Sequence, residues 1–183
     1  SAAGTGGGNT TFGTSLLTAL GGPSATNVSP TISPPAFGTG ISSNSGSRNA
    51  VGANVASYAS GGIGSNSPFG GAGSGHPNEA GRNATANSGS GGGGGGTDGT
   101  SVPIDKQGGK GGANGTFIDA IIPSPLLSSY AYSVGTGGPG GAAGTNGYAA
   151  GAGAAGYIEI TEYYGTQNTP LLINSVVSGN SGV

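Results

Sequence analysis

GTGGPGGAAGTNGYAAGAGAAG, residues 135–156, is the stretch on which the architecture turns. Gly135, Gly138, Gly141, Gly144, Gly147, Gly153 and Gly156 share one frame of three, and Ala150 fills the gap in that frame. Three residues per turn is the period of the polyproline II helix, which has no internal hydrogen bonds and rises ~3.1 Å per residue. Glycine along one edge lets a neighbouring backbone approach closely, so N–H and C=O groups of adjacent segments can bond each other. Straight, the stretch would span roughly 65–70 Å, so at least one reversal is expected within it. Collagen shares the period but requires unbroken triplets rich in proline, and Pro139 is the only proline here.

The remaining chain fits a fold built on the main chain. Of 183 residues, 45 are Gly and 11 are Pro, with four Phe and no Trp, Met or Cys. An ordinary core of large side chains is not available. Disorder usually pairs low hydrophobicity with high net charge, yet this chain carries only four Lys/Arg, six Asp/Glu and a net charge of −2. Compaction through backbone bonds and small-residue contacts is the expectation. No disulfide is possible, and no apolar run approaches the ~20 residues of a membrane helix. Four scattered cations argue against nucleic acid, whose affinity rests on phosphate neutralisation. Residue 1 is Ser, which reads as a processed or trimmed start.

Weaker triplets recur at Gly61, Gly64, Gly70 and Gly73 and at Gly109, Gly112 and Gly115. The run Gly91–Gly96 fits any frame and reads equally as glycine helix or as loop. Three strands are expected: Thr116–Ile122 ending at Pro123, Tyr130–Val134, and Tyr157–Tyr164, where Ile158 and Ile160 alternate with Tyr157, Glu159, Thr161 and Tyr163. They are read as one small antiparallel sheet, with 135–156 as the excursion between the second and third strands. Ser15–Leu20 reads as a helical turn or a short strand. The predicted fold class is therefore mostly irregular and β, with polyglycine II-like helices packed on a small antiparallel sheet. Residues 1–165 form that domain. Residues 166–183 are a C-terminal extension whose apolar Leu171–Ile173 and Val176–Val177 suit a strand that docks on a partner.

Catalytic chemistry finds little support. His76, the only histidine, sits in the loop-like GSGHPNEAG without a G-x-S-x-G elbow. Lys110 is followed by Gly111, so the P-loop pattern fails. Gly93–Thr100 resembles one copy of the calcium nonapeptide, which makes Asp98 a weak calcium candidate, but that fold needs tandem copies. Glu159 and Glu162, three apart on one strand, face opposite sides and suit edge-strand protection better than acid–base work. No enzyme activity, cofactor or catalytic residue is expected. Sequons at Asn9, Asn27, Asn83 and Asn114 follow from composition. What remains is surface: Phe12, Phe37, Tyr58, Phe69 and Tyr148 stand singly among glycines, either as contacts for sugars or protein loops or as plugs between segments.

The span Gly108–Gly165, with its Tyr130-x-Tyr132-x-Val134-Gly135 strand end, glycine triplets and closing YIEITEYY, resembles the glycine-rich domain that ends many bacteriophage tail proteins. Ala3–Gly22, with its glycine cluster and T-x-F-G strand, resembles the opening of the same domain. The resemblance implies a virion tail-fibre or tail-tip module, extracellular, whose triplets are scaffold and whose loops contact a host-surface receptor, a glycan or an outer-membrane protein. Other tail proteins, and a homotrimer or a cap on a trimeric fibre, are the implied partners. By analogy with stacked-helix adhesins, the contacts fall between Pro23 and His76, with Phe37, Tyr58, Phe69 and His76 as candidates. The competing readings are a secreted glycine-rich matrix protein and an ice-binding bundle of polyproline II helices.

Overall fold

The computed structural model describes residues 4–24, 54–55, 58–98, 108–162 and 171–176. No α-helix occurs among them. Eight short strands are present: β1 Thr10–Phe12, β2 Leu17–Ala19, β3 Asn54–Val55, β4 Tyr58–Ala59, β5 Ile118–Ile122, β6 Tyr132–Ser133, β7 Tyr157–Thr161 and β8 Leu171–Val176.

Two antiparallel three-stranded sheets, ordered β2-β1-β6 and β5-β8-β7, hold the large side chains. β2 packs on β5 and β1 on β8. Alternation along β5 buries Ile118, Ala120 and Ile122 and exposes Asp119, as the two-residue period of a strand requires. Opposite them lie Phe12, Leu17 and Ala19, with Leu16, Phe117, Tyr130 and Tyr157 packed around the cluster. Phe12 stacks on Tyr130 at a centroid distance of 5.0 Å. Each buried Phe, Leu or Ile side chain contributes about 1.5–3 kcal/mol, so this core is real but small.

The sheets depart from expectation in two respects. β5 and β7 share a sheet, as read from the sequence, but do not touch as neighbours: β8 lies between them, pairing Ala120 with Ile173 and Ile160 with Ile173. The apolar 171–176 is thus paired on both sides within its own chain. β6 leaves that sheet and pairs with β1, Phe12 opposite Tyr132. Residues 15–20 resolve as a turn followed by β2. Phe12, grouped by sequence with loop aromatics, is a core residue at 3% exposure.

The remaining described chain is a bundle of main-chain threads, residues 60–65, 71–76, 79–85, 88–97, 108–116, 135–141 and 147–156, that are neither helix nor sheet. Their hydrogen bonds recur every third residue. Gly156, Gly153 and Ala150 donate to Gly135, Gly138 and Gly141, at 3.0, 2.9 and 3.0 Å. The frame seen in the sequence is therefore a pairing frame, and the stretch reverses once, at Thr145–Asn146, where Asn146 has φ 61°. Thread 88–97 is the hub, with Ser88 through Gly96 all buried. Gly115, Gly112 and Gly109 donate to Gly89, Gly92 and Gly95, and Ala154, Gly151 and Tyr148 donate to Ser90, Gly93 and Gly96. Gly91 and Gly94 donate to Ser65 and Gly62, and Gly93 and Gly96 to Arg82 and Glu79.

Close approach explains why the hub is glycine. A Cβ on Gly93 would lie 2.2 Å from the Ser74 carbonyl oxygen, and one on Gly94 2.0 Å from that of Gly109. All six residues of Gly91–Gly96 meet main-chain atoms in this way. The run that read equally as loop or helix is the buried centre of the molecule. In the 135–156 hairpin the tight positions include Gly137 and Gly140, off the sequence frame, whereas a Cβ on Gly147 would meet nothing nearer than 3.5 Å.

Candidate functional site

The threads all run between the sheets and an opposite end, and that end gathers residues distant in sequence. Its position is fixed by main-chain bonds around Gly96 and Thr97. Gly96 donates to Glu79 at 3.0 Å and accepts from Tyr148 at 2.9 Å. Thr97 donates its N–H to Ala59 at 3.0 Å, while its Oγ1 accepts the Ala59 N–H at 2.8 Å, tying β4 to the hub. Asp98 donates to the Asn146 carbonyl at 3.1 Å, and Gly61 donates to that of His76 at 3.3 Å.

Two reversals cap this end. Asn78 has φ 56° and Asn146 φ 61°, a left-handed conformation that asparagine tolerates better than most residues. Pro77, Asn78, Glu79 and Ala80 are exposed, as are Thr145 and Asn146, and Tyr148 retains 41% of its surface. The result is a rigid frame of backbone bonds carrying two protruding polar turns and one exposed aromatic. Its charges are few. Arg82 Nη2 stands 3.9 Å from Glu79 Oε2, with both side chains mostly exposed, so the pair adds little to stability. His76 Nε2 and Ser74 Oγ are 2.9 Å apart on one thread.

Of the sequence-predicted contacts, Tyr58 and His76 both map to this end, Tyr58 through β4 and His76 through thread 71–76. Phe69 does not. It lies at the sheet end, 39% exposed, with its ring packed against Phe117 and Tyr157 at centroid distances of 6.1 and 5.6 Å. Phe37 lies outside the described residues, as does the whole of 25–53. Asp98 also reaches the thread tips, but the calcium-like stretch leading to it is the buried hub. Among the described residues no group of three or more His, Cys, Asp or Glu is placed to hold a metal ion.

Sequence reasoning missed Asn78, Glu79 and Asn146. The available signal was the Asn146-Gly147 dipeptide and the Pro77-Asn78 pair in its glycine-rich surroundings, which mark turns and loops. It also missed a second surface at the sheet end. Leu126 and Leu127 are 43% and 69% exposed, and Tyr132 and Val134, which follow in the chain, and Ile160 on β7 are exposed as well. The loop bearing the leucines is pinned by the Leu127 N–H donating to Tyr130 Oη at 3.1 Å. Tyr132 shares the inward face of its sheet with Phe12, yet it lies at the open margin of the core. Compared with protein-family models, with curated proteins and with solved structures, the chain matches none.

Proposed function

We propose that this chain is a non-catalytic module of a phage tail fibre or tail tip that binds the host surface through its thread tips and joins the virion through its sheet end. The observation that carries the reading is the fixed end around Gly96 and Thr97, where Asn78, Glu79, Asn146 and Tyr148 project from a backbone-bonded frame. Binding surfaces are commonly loops held by a rigid scaffold. An exposed tyrosine flanked by amide and carboxylate side chains suits a glycan, its ring facing the sugar and its polar neighbours the hydroxyls. The threads themselves are proposed to be polyglycine II-like helices, a conformation consistent with bonds every third residue. At the sheet end the exposed apolar side chains of the Leu126–Leu127 loop are the groups proposed to join the virion, since exposed apolar patches mark protein–protein contact. Another tail protein, or a trimeric fibre, is the proposed occupant.

The test is binding of the purified chain to host cells and to lipopolysaccharide, with two variants. Tyr148→Ala is expected to cut cell binding about tenfold or more, on the order of 1.4 kcal/mol, with an unchanged melting temperature. Leu127→Asp is expected to leave cell binding intact while abolishing association with the adjoining tail protein. Loss of neither interaction would remove the assignment of the two ends. Absence of any cell or virion binding by the parent chain would remove the adhesin reading itself.

A further inference from the structure

Asparagine followed by glycine is a pair prone to self-modification, because the glycine nitrogen can reach the asparagine side chain with no Cβ in the way. The sequence holds two such pairs, Asn114-Gly115 and Asn146-Gly147, and the fold places them in opposite surroundings. Asn114 is 2% exposed on thread 108–116, and the Gly115 N–H donates to the Gly89 carbonyl of the buried hub at 3.0 Å. Asn146 is exposed at the reversal of the 135–156 hairpin, in the left-handed conformation with φ 61°.

The reaction needs an accessible carboxamide carbon, a main-chain nitrogen free to lose its proton, and water. The side-chain oxygens of Asn9, Asn66 and Asn83 each accept a main-chain N–H, from Gly21, Ala72 and Ala152. That of Asn146 accepts none among the described residues. The Gly147 N–H donates to the Gly144 carbonyl at 3.1 Å, a bond closed within the turn itself. Opening it frees the nitrogen and leaves the threads paired. Freeing the Gly115 nitrogen instead means pulling thread 108–116 off the hub. Local opening of an exposed turn costs far less than an opening that undoes the centre of a structure.

We propose that Asn146 converts spontaneously to aspartate and isoaspartate at the thread tips, and that the fold suppresses the same reaction at Asn114. Solvent base takes the Gly147 amide proton, and the nitrogen attacks Asn146 Cγ. The N–Cγ bond forms, the Cγ–Nδ2 bond breaks, and the side-chain nitrogen leaves as ammonia with a proton returned from solvent. Water then opens the resulting cyclic succinimide at either of its carbonyl carbons. Opening at Cγ leaves aspartate in an unaltered main chain. Opening at the main-chain carbonyl carbon leaves isoaspartate, with the chain routed through the former side chain. Either product replaces a neutral amide by a carboxylate and takes the formal net charge from −2 to −3. Isoaspartate also lengthens the main chain by a methylene within a turn held on both flanks, where Asp98 donates to the Asn146 carbonyl at 3.1 Å and Tyr148 to that of Gly96 at 2.9 Å. The reaction does not depend on what the tips bind.

Peptide mapping by mass spectrometry, on folded chain held at mildly alkaline pH, tests it, with isoaspartyl methyl-transfer labelling to mark the branched product. Asn146 is expected to convert about tenfold faster than Asn114, or more, and urea-unfolded chain is expected to convert the two at similar rates. Gly147→Ala supplies a second arm. The nearest atom to a Cβ there is 3.5 Å away, so the variant keeps the fold, and the methyl group beside the attacking nitrogen is expected to slow Asn146 several-fold. Equal rates at Asn114 and Asn146 in the folded chain overturn the proposal. So does a preference for Asn146 that persists unchanged in urea, or an Asn146 rate that Gly147→Ala leaves untouched.

Discussion

At Asn78 and Asn146 the chain uses residues of left-handed conformation to turn threads around, with φ of 56° and 61°. A Cβ-bearing residue without asparagine's local hydrogen bonding is strained there by about 1–2 kcal/mol, whereas glycine is not. Asn146→Ala is therefore expected to lower stability by about 1 kcal/mol in urea unfolding, and Asn146→Gly to change it by a few tenths. Equal effects of the two would contradict a conformational role. A second residue-scale feature is the Tyr157 hydroxyl, which donates to the Glu159 carboxylate. That bond, then partial burial, then the nearby negative charge raise the Tyr157 pKa above its ordinary 10.0. Because the folded value is the raised one, the bond's contribution is full below the ordinary phenol value and is lost as pH climbs through the raised value. Tyrosinate absorbance should show Tyr157 ionising above the ordinary phenol value of 10.0, and Glu159→Gln should bring it back towards that value. An early-titrating Tyr157 would contradict the pairing.

Among the elements, the strands were legible where large side chains alternate. Ile118–Ile122 and Tyr157–Thr161 fall inside the expected spans, the first starting two residues late and the second ending at Thr161, while residues 163–164 of that span lie outside the described residues. Register and partnership were not legible, because a strand's pattern names the face it buries and not the strand beside it. β8 entering between β5 and β7, and β6 moving to β1, are outcomes of chain topology. The same limit hid the thread tips, since nothing local tells Asn146 that it will sit beside Asp98. The small side-chain core makes a sharp expectation at this scale. Ile118→Ala, at 3% exposure between the sheets, should cost about 2–5 kcal/mol, read from denaturant midpoints at unchanged slope. A cost below about 1 kcal/mol would mean the sheets contribute little to holding the molecule.

Across the whole molecule, two kinds of packing meet: a minor sandwich of side chains and a larger bundle bonded main chain to main chain. The glycine frame in 135–156 announced the second kind, and the pairs Gly135–Gly156 and Gly138–Gly153 realise it. The hub escaped sequence reading for a physical reason. A run of six glycines has no frame, so nothing in it distinguishes the most enclosed thread from a mobile loop. Only the neighbours do, by bringing carbonyl oxygens to about the space of a missing methyl group. The bundle depends on that closeness, and thermal unfolding of two single variants probes the dependence. Gly93→Ala places a Cβ 2.2 Å from the Ser74 oxygen, whereas at Gly147 the nearest atom is 3.5 Å away. Gly93→Ala is expected to cost roughly 3 kcal/mol or more, a fall of about 6–12 °C for a chain of this size, while Gly147→Ala holds or slightly raises the melting temperature. Equal melting temperatures for the two variants would show that the hub does not need its glycines.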